Sequence, residues 1–230
     1  MKKSVFVASF IILCFFFFGC VAPQRQISLS NDNANKLSGK TCEITKSQPP
    51  NFYAQTTGKA WLPPMIGIAA SYSAGSELVA KNNVEDPSIY VAQEISNIIK
   101  SKFNLKAITQ SETLSESNEI DHLCKTYNKN EFLLDVRTLG WSFGTGAGSN
   151  PALSSEYVVS FVISLKVIEV KNKEVLSEAV YIYPNVKPGE SLQTFSYDEL
   201  MDNNAAGIKN ELHKGSEQAV QFFKEKALNL

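Results

Sequence analysis

Histidine is scarce in this chain, and its scarcity limits catalysis and metal binding first. The 230 residues include only His122 and His213, whose separation fits neither a zinc module nor the base of a serine or cysteine nucleophile. No G-x-S-x-G nucleophile elbow occurs. We therefore expect no catalytic residues, no metal and no cofactor, and the sequence does not predict an enzyme.

An excess of positive charge is missing as well. The 22 lysines and arginines are balanced by 23 aspartates and glutamates, which gives a formal net charge of −1 at pH 7. Arginine, which suits phosphate recognition, occurs only as Arg25 and Arg137. Such a chain has no electrostatic footprint for nucleic acid, so we expect no nucleic-acid partner.

Long hydrophobic runs are confined to the N-terminus. Lys2 and Lys3 precede a predominantly apolar run over residues 5–18, which has the length of a signal-peptide core and is short for a membrane span. Gly19 and Cys20 follow, in the stretch FFGCVAPQ. The sequence therefore predicts an export signal over residues 1–19.

The Gly19–Cys20 junction resembles the lipobox of bacterial lipoproteins, in which a small residue precedes a cysteine that is acylated and begins the mature chain. The resemblance implies that Cys20 carries lipid, palmitate included, and anchors the protein to a membrane. In such lipoproteins an Asp after the cysteine favours inner-membrane retention. Val21 stands there instead, which implies the periplasmic side of the outer membrane. An uncleaved signal anchor and an ordinary secretory signal are the alternatives.

Two cysteines are left for the folded part of the exported chain. Cys14 leaves with the signal and Cys20 takes the lipid, so Cys42 and Cys124 remain in an oxidising compartment. They form one disulfide or stay as two separate thiols, because sequence does not tell whether their Cα atoms approach to bonding distance.

The mature chain is expected to contain one domain. Residues 20–39 are rich in Asn, Ser and Gln and predict a flexible tether, and residues 40–230 are long enough for a single core. Alternating apolar residues predict strands over 132–143, 156–170 and 174–183.

Three helices complete the predicted fold. One starts at Pro63 and Pro64, a second follows Asp86 with an apolar stripe that begins at Ile89, and a third follows the capping box of Ser196 and Glu199. The order of elements predicts an α+β fold, a two-layer sandwich with a mainly antiparallel sheet and helices on one face.

The stretch MIGIAASYSAG, residues 65–75, carries no charge but is too short to span a bilayer. Gly67, Ser71 and Gly75 recur every four residues and form a ridge of small residues, of the kind that allows close helix packing. Three roles remain open for this stretch: packing within the domain, self-association, and shallow contact with a membrane.

Polar and aromatic residues of the first long strand are the other candidates for binding. Asp135, Arg137 and Trp141 share one face of that predicted strand, and Arg137 either forms a structural ion pair or recognises a carboxylate or phosphate. The glycine-rich GTGAGSN, residues 144–150, lies between strands, so it predicts a hairpin loop with a contact role rather than a phosphate loop.

Three segments resemble a family of uncharacterised proteobacterial envelope lipoproteins over most of the mature chain. They are GKAWLPPMIGIAASYSAGSELVAKNNVEDPSIYVAQEI, FLLDVRTLGWSF and SYDELMDNNAAGIKNEL. The resemblance implies an envelope location and assigns no site residues. The order of elements is also similar to that of the curli-secretion lipoprotein and of the N-terminal domain of the Tol propeller protein, which is an analogy of fold.

Two function classes follow from these observations. The first is a non-catalytic binding or scaffold module that holds an envelope protein or a cell-wall partner. The second is an oligomeric component of a secretion or pore assembly, for which the chain would form a homo-oligomer.

Overall fold

The structure, a computed structural model, describes residues 25–146, 150–151, 153–186 and 190–230. The predicted signal and the predicted lipid site at Cys20 lie outside the described residues, and so do residues 147–149 of the glycine-rich loop. Within the described ranges, no helix has the length and apolar character needed to cross a membrane.

A six-stranded sheet organises the described residues. Along the sheet the strand order is β3, β1, β4, β5, β6, and β2 pairs with the end of β4. β4, β5 and β6 form an antiparallel meander, whereas β1 lies parallel to β3 and β4. The strands are β1 (Thr41–Ser47), β2 (Tyr53–Ala54), β3 (Ala107–Ser115), β4 (Phe132–Thr145), β5 (Tyr157–Glu169) and β6 (Glu174–Tyr183).

Three long helices cover one face of this sheet. α3 packs on β2, α4 packs on β4 and α6, and α6 packs on β5 and β6. The predicted α+β class with a mostly antiparallel sheet is thereby confirmed. The helices of the described residues are α1 (Asn31–Leu37), α2 (Thr57–Ala60), α3 (Pro64–Asn82), α4 (Pro87–Lys102), α5 (Ile120–Thr126) and α6 (Tyr197–Lys226).

The opposite face of the sheet is partly covered as well, by a helix that the sequence pattern did not define. Leu123 and Cys124 of α5 pack with Tyr127 against Leu133 and Ile168, which point away from the main core. A second, smaller apolar cluster therefore lies under α5.

The two ends of the sheet differ in what surrounds them. At the Tyr183 end, β4 and β6 finish and β5 begins, and β2 lies there because it pairs with Ser142 and Phe143. At the Glu174 end, β4 begins and β5 turns back into β6. These two names are used for the ends below.

Trp141 lies on the face opposite to the one predicted. The pairing of β4 with β5 shifts register between Thr138 and Gly140, so Leu139 is an extra residue that reverses the alternation of side chains beyond it. Trp141 therefore joins the main core, whereas Asp135 and Arg137 stay on the other face.

Within the predicted flexible tether of residues 20–39, the described part, residues 25–39, is packed on the domain. Ile27 forms an antiparallel bridge with Glu178 of β6, with N–H to carbonyl distances of 2.7 and 2.9 Å. Leu29 and Leu37 are buried in the main core. The polar composition of the segment masked these apolar residues, whose burial offsets the cost of ordering the chain.

The C-terminal helix begins at the predicted cap. The Glu199 carboxylate accepts the Ser196 N–H at 2.7 Å, and the Ser196 hydroxyl accepts the Glu199 N–H at 3.3 Å. Helical geometry is interrupted at residues 202–205 and then continues to Lys226.

The small-residue ridge of α3 faces inward. Gly67, Ser71, Gly75 and Leu78 are the buried residues of this helix. A Cβ atom on residue 75 would lie 1.8 Å from the carbonyl oxygen of Phe52, and one on residue 67 would lie 2.8 Å from that of Lys59. The helix therefore packs against backbone, at a distance that excludes ordinary side chains.

Gly75→Ala should destabilise the fold strongly, because the added methyl group collides with the rigid backbone at Phe52. We expect a loss of about 3 kcal/mol in the free energy of unfolding, measured by urea denaturation. Gly58→Ala is the matched control, since no atom lies within 4 Å of its Cβ position. Equal stabilities for the two variants would contradict the inward orientation of the ridge.

Candidate functional site

A groove of about 510 Å³ opens between β1, β4 and the facing ends of α3 and α4. Its volume is in the range of sites that hold a small ligand or a group of a partner's side chains. Most of the lining is apolar, with the exposed polar residues Lys46, Glu85 and Gln110 beside it. The apolar lining residues are Ile44, Pro49, Val79, Val84, Ile89, Ala92, Val136 and Trp141.

One wall of the groove is fixed by the cap of α4. The Asp86 carboxylate accepts the Ser88 N–H at 2.9 Å and the Ser88 hydroxyl at 2.8 Å. The Thr138 hydroxyl of β4 also donates to this carboxylate. Asp86 therefore joins the start of α4 to the sheet and holds the groove open at this place.

The other side of the groove depends on Trp141. Its indole N–H donates to the Pro50 carbonyl at 2.6 Å, and its ring meets that of Phe52 edge to face, with centroids 5.0 Å apart. These contacts fix the indole in a single position under the groove. The bulge at Leu139 is what brings this side chain to the helix-covered face.

The groove offers apolar contact rather than reactive groups. Ile89 is 59% exposed and stands at its edge, available to a partner. The described residues contain no group of three or more His, Cys, Asp or Glu side chains placed to hold a metal ion. The arrangement can therefore accept an apolar side chain and orient the partner's polar groups near Lys46.

Asp135 and Arg137 are brought together, but with each other rather than with a ligand. The Arg137 guanidinium donates from Nε and Nη2 to the Asp135 carboxylate at 2.9 and 2.5 Å, and Thr45 Oγ1 donates to it at 2.5 Å. Asp135 is fully buried and Arg137 nearly so. In the structure the pair is thus a satisfied internal ion pair.

Cys42 and Cys124 are both free thiols in the structure. Cys42 belongs to the main core on the helix-covered face, and Cys124 belongs to the cluster under α5 on the opposite face. The sheet therefore separates the two sulfur atoms. Of the two alternatives left by the sequence, the structure has the separate thiols.

The sequence missed the groove because its walls come from four distant elements. Ile89 was placed on the buried stripe of its helix, yet the buried stripe runs through Ser88, Val91, Ile95 and Ile99. Val91, Ile95 and Ile99 also recur every four residues, so spacing alone did not decide between this stripe and the one that begins at Ile89. The place of Ile89 in the first turn of the helix was the sequence signal for its exposure.

Comparison with known proteins gives similarity of fold at a low level. No protein-family model matches the chain, and no curated protein matches it in sequence. Similar solved structures include a neuraminyllactose-binding hemagglutinin homolog from Helicobacter pylori, with 9% identity, 82% of this chain and 83% of that chain covered, and a TM-score of 0.36.

Two further similar structures are bacterial as well. The PelC dodecamer from Paraburkholderia phytofirmans has 12% identity, with 83% of this chain and 91% of that chain covered and a TM-score of 0.31. The lipoprotein GNA1162 from Neisseria meningitidis has 6% identity, with 79% and 97% covered and a TM-score of 0.33. Similarity at this level assigns neither a family nor a function to the chain.

The two thiols should react only after unfolding. Burial raises the pKa of Cys42 to about 12 and also raises the pKa of Cys124, so little thiolate is present at about pH 8. We expect iodoacetamide to leave the native mature chain with Cys20→Ala unmodified. Under non-reducing denaturation it should alkylate both cysteines, as read by mass spectrometry. Alkylation that requires prior reduction would instead reveal a disulfide.

Proposed function

We propose that the protein is a lipoprotein of the outer membrane, anchored through Cys20 on the periplasmic side, whose domain is a non-catalytic module that binds another envelope protein. The docking of Ile27 and Leu29 on the domain carries this proposal. It leaves seven peptide steps between Ile27 and Cys20, which span at most about 25 Å. A lipid on Cys20 would therefore hold the folded domain close to the membrane surface.

The groove beside Ile89 is the proposed binding site for the partner. Its lining is mostly apolar, which suits the aliphatic or aromatic side chains of a protein. A cell-wall glycan presents hydroxyl groups that need polar partners, whereas Thr45, Asp86 and Ser88 of these walls already form hydrogen bonds within the protein. A protein partner is therefore the better match of the two classes.

Photo-crosslinking in live cells tests whether the groove is the binding site. A photoreactive residue at Gln110, beside the groove, should give one adduct of defined mass, and Ile89→Asp should abolish it by placing a charge against apolar walls. The matched control is Ile182→Asp, which alters an exposed isoleucine of β6 that does not line the groove. The adduct should persist in this control.

The anchor is tested in the same strains by mass spectrometry and fractionation. Native protein should carry acyl chains on Cys20, and Cys20→Ala with an independent export signal should move to the soluble periplasmic fraction. A native chain without acyl groups would refute the anchor. Adducts that survive Ile89→Asp would refute the groove as the binding site.

A further inference from the structure

α3 and the turn before it expose an unusual number of large apolar side chains. Met65 is 80% exposed and Trp61 is 70% exposed. The set, called the apolar face below, consists of Trp61, Leu62, Met65, Ile66, Ile68 and Tyr72, each at least two-fifths exposed. No charged residue occurs from Ala60 to Ser76, and Lys59 and Glu77 flank the stretch. Contiguous exposed apolar residues of this kind mark a contact surface.

The packing of α3 forces these side chains outward. From Gly67 to Gly75 its inner side lies so close to the backbone at Phe52 and Lys59 that small residues fill it, and the larger Leu78 is buried only beyond this contact. The large residues of the same helix turns therefore have no place in the core, and they point away from the domain. In an ordinary amphipathic helix the large apolar residues face the core, whereas here most of them face outward.

The apolar face lies at the Tyr183 end of the sheet. α2, which precedes it, is tied to the loop between β4 and β5, because the Thr57 hydroxyl donates to the Ser154 carbonyl at 2.6 Å. That loop exposes 74% of Leu153, and Val186 is exposed just after β6. The Tyr183 end thus collects exposed apolar side chains from three segments.

The Glu174 end has the opposite character. Lys36 pairs with Glu174 at 3.3 Å, Lys40 with Glu131 at 3.5 Å, and Lys173 with Asp121 at 2.6 Å. The charged groups of these partly exposed ion pairs are hydrated, which suits a surface that faces water. The domain is therefore polarised, with an apolar end and a charged end.

The N-terminal chain runs toward the apolar end. Ile27 pairs antiparallel with Glu178, so the chain reaches Ile27 from the direction of Tyr183. Cys20 precedes Ile27 by seven peptide steps, which span at most about 25 Å. A lipid on Cys20 would therefore be within reach of the end that carries the apolar face.

We propose that the apolar face rests in the headgroup region of the lipid bilayer and forms a second, non-covalent attachment. This inference deepens the proposed function, because it uses Cys20 as the first attachment. Trp and Tyr favour the membrane interface, and apolar side chains between them enter the outer acyl region. The short link from Cys20 brings this end of the domain to the bilayer. A second copy of the chain could cover the apolar face only by displacing the face from the bilayer.

The attachment is tested with purified protein and vesicles of phosphatidylethanolamine and phosphatidylglycerol. The mature chain with Cys20→Ala, which lacks the apolar signal of residues 1–19, should sediment with these vesicles. Adding Met65→Ser and Ile66→Ser should lower the bound fraction about tenfold. The control adds Leu114→Ser and Leu230→Ser, which remove two exposed apolar side chains outside the apolar face and should leave binding unchanged.

The lipidated protein provides an independent measurement. In vesicles with brominated acyl chains, its tryptophan emission should be quenched, because Trp61 is exposed on the apolar face while Trp141 is buried. Met65→Ser with Ile66→Ser should reduce the quenching although the lipid stays in place. Quenching that is unchanged by these substitutions would overturn the inference.

The outcomes separate this inference from the proposed anchor. A native chain without acyl groups, combined with vesicle binding that depends on Met65 and Ile66, would refute the anchor and support the membrane contact. An acylated chain whose Cys20→Ala form stays unbound would refute the contact alone. A dimer that the serine substitutions convert to monomers, with no vesicle binding, would show that a second copy covers the face and would also refute the contact.

Discussion

α3 approaches the backbone at Phe52 and Lys59 so closely that the positions of Gly67 and Gly75 on its inner side admit only small residues. Gly67, Ser71 and Gly75 meet this constraint and bring the helix against β2 and α2. The dispersion energy of such a contact comes from many backbone atoms at short range rather than from interlocking side chains. The surface chemistry of one whole end of the molecule follows from it, because the large apolar residues of the helix are left outside.

The same helix also helps to shape the groove. Val79, in the last turn of the helix, lines the groove. The chain that leaves the helix reaches Asp86, which joins α4 to Thr138 of β4. The apolar face and the groove are therefore two products of one packing arrangement. In the proposed account, one would face the membrane and the other would remain available to a protein partner.

Local patterns in the sequence were sufficient for the elements that depend on nearby residues. The capping box of Ser196 and Glu199, the cap at Asp86 and the alternation in β5 all depend on residues within a few positions of one another. The ridge of α3 was visible as a repeat of small residues. The apolar face on the other side of the helix was visible only as part of an uncharged stretch. The spacing of the residues did not tell which side of the helix would be buried.

Features that depend on distant residues escaped sequence reasoning. The bulge at Leu139 reverses the side chains beyond it, so the position of Trp141 could not follow from simple alternation. The docking of Ile27 depends on an open edge of β6 far along the chain, and the separation of Cys42 from Cys124 depends on which face α5 covers. The groove depends on the first of these effects, because the bulge brings Trp141 to its lining.

The orientation of α3 is the central claim, and thiol accessibility tests it directly. In the mature chain with Cys20→Ala, Met65→Cys should react with a maleimide at nearly the rate of the unfolded protein, whereas Leu78→Cys, on the buried side, should react only after denaturant is added. The buried Cys42 and Cys124 should contribute no signal in the native state. Protection of residue 65 together with rapid labelling of residue 78 would contradict the account.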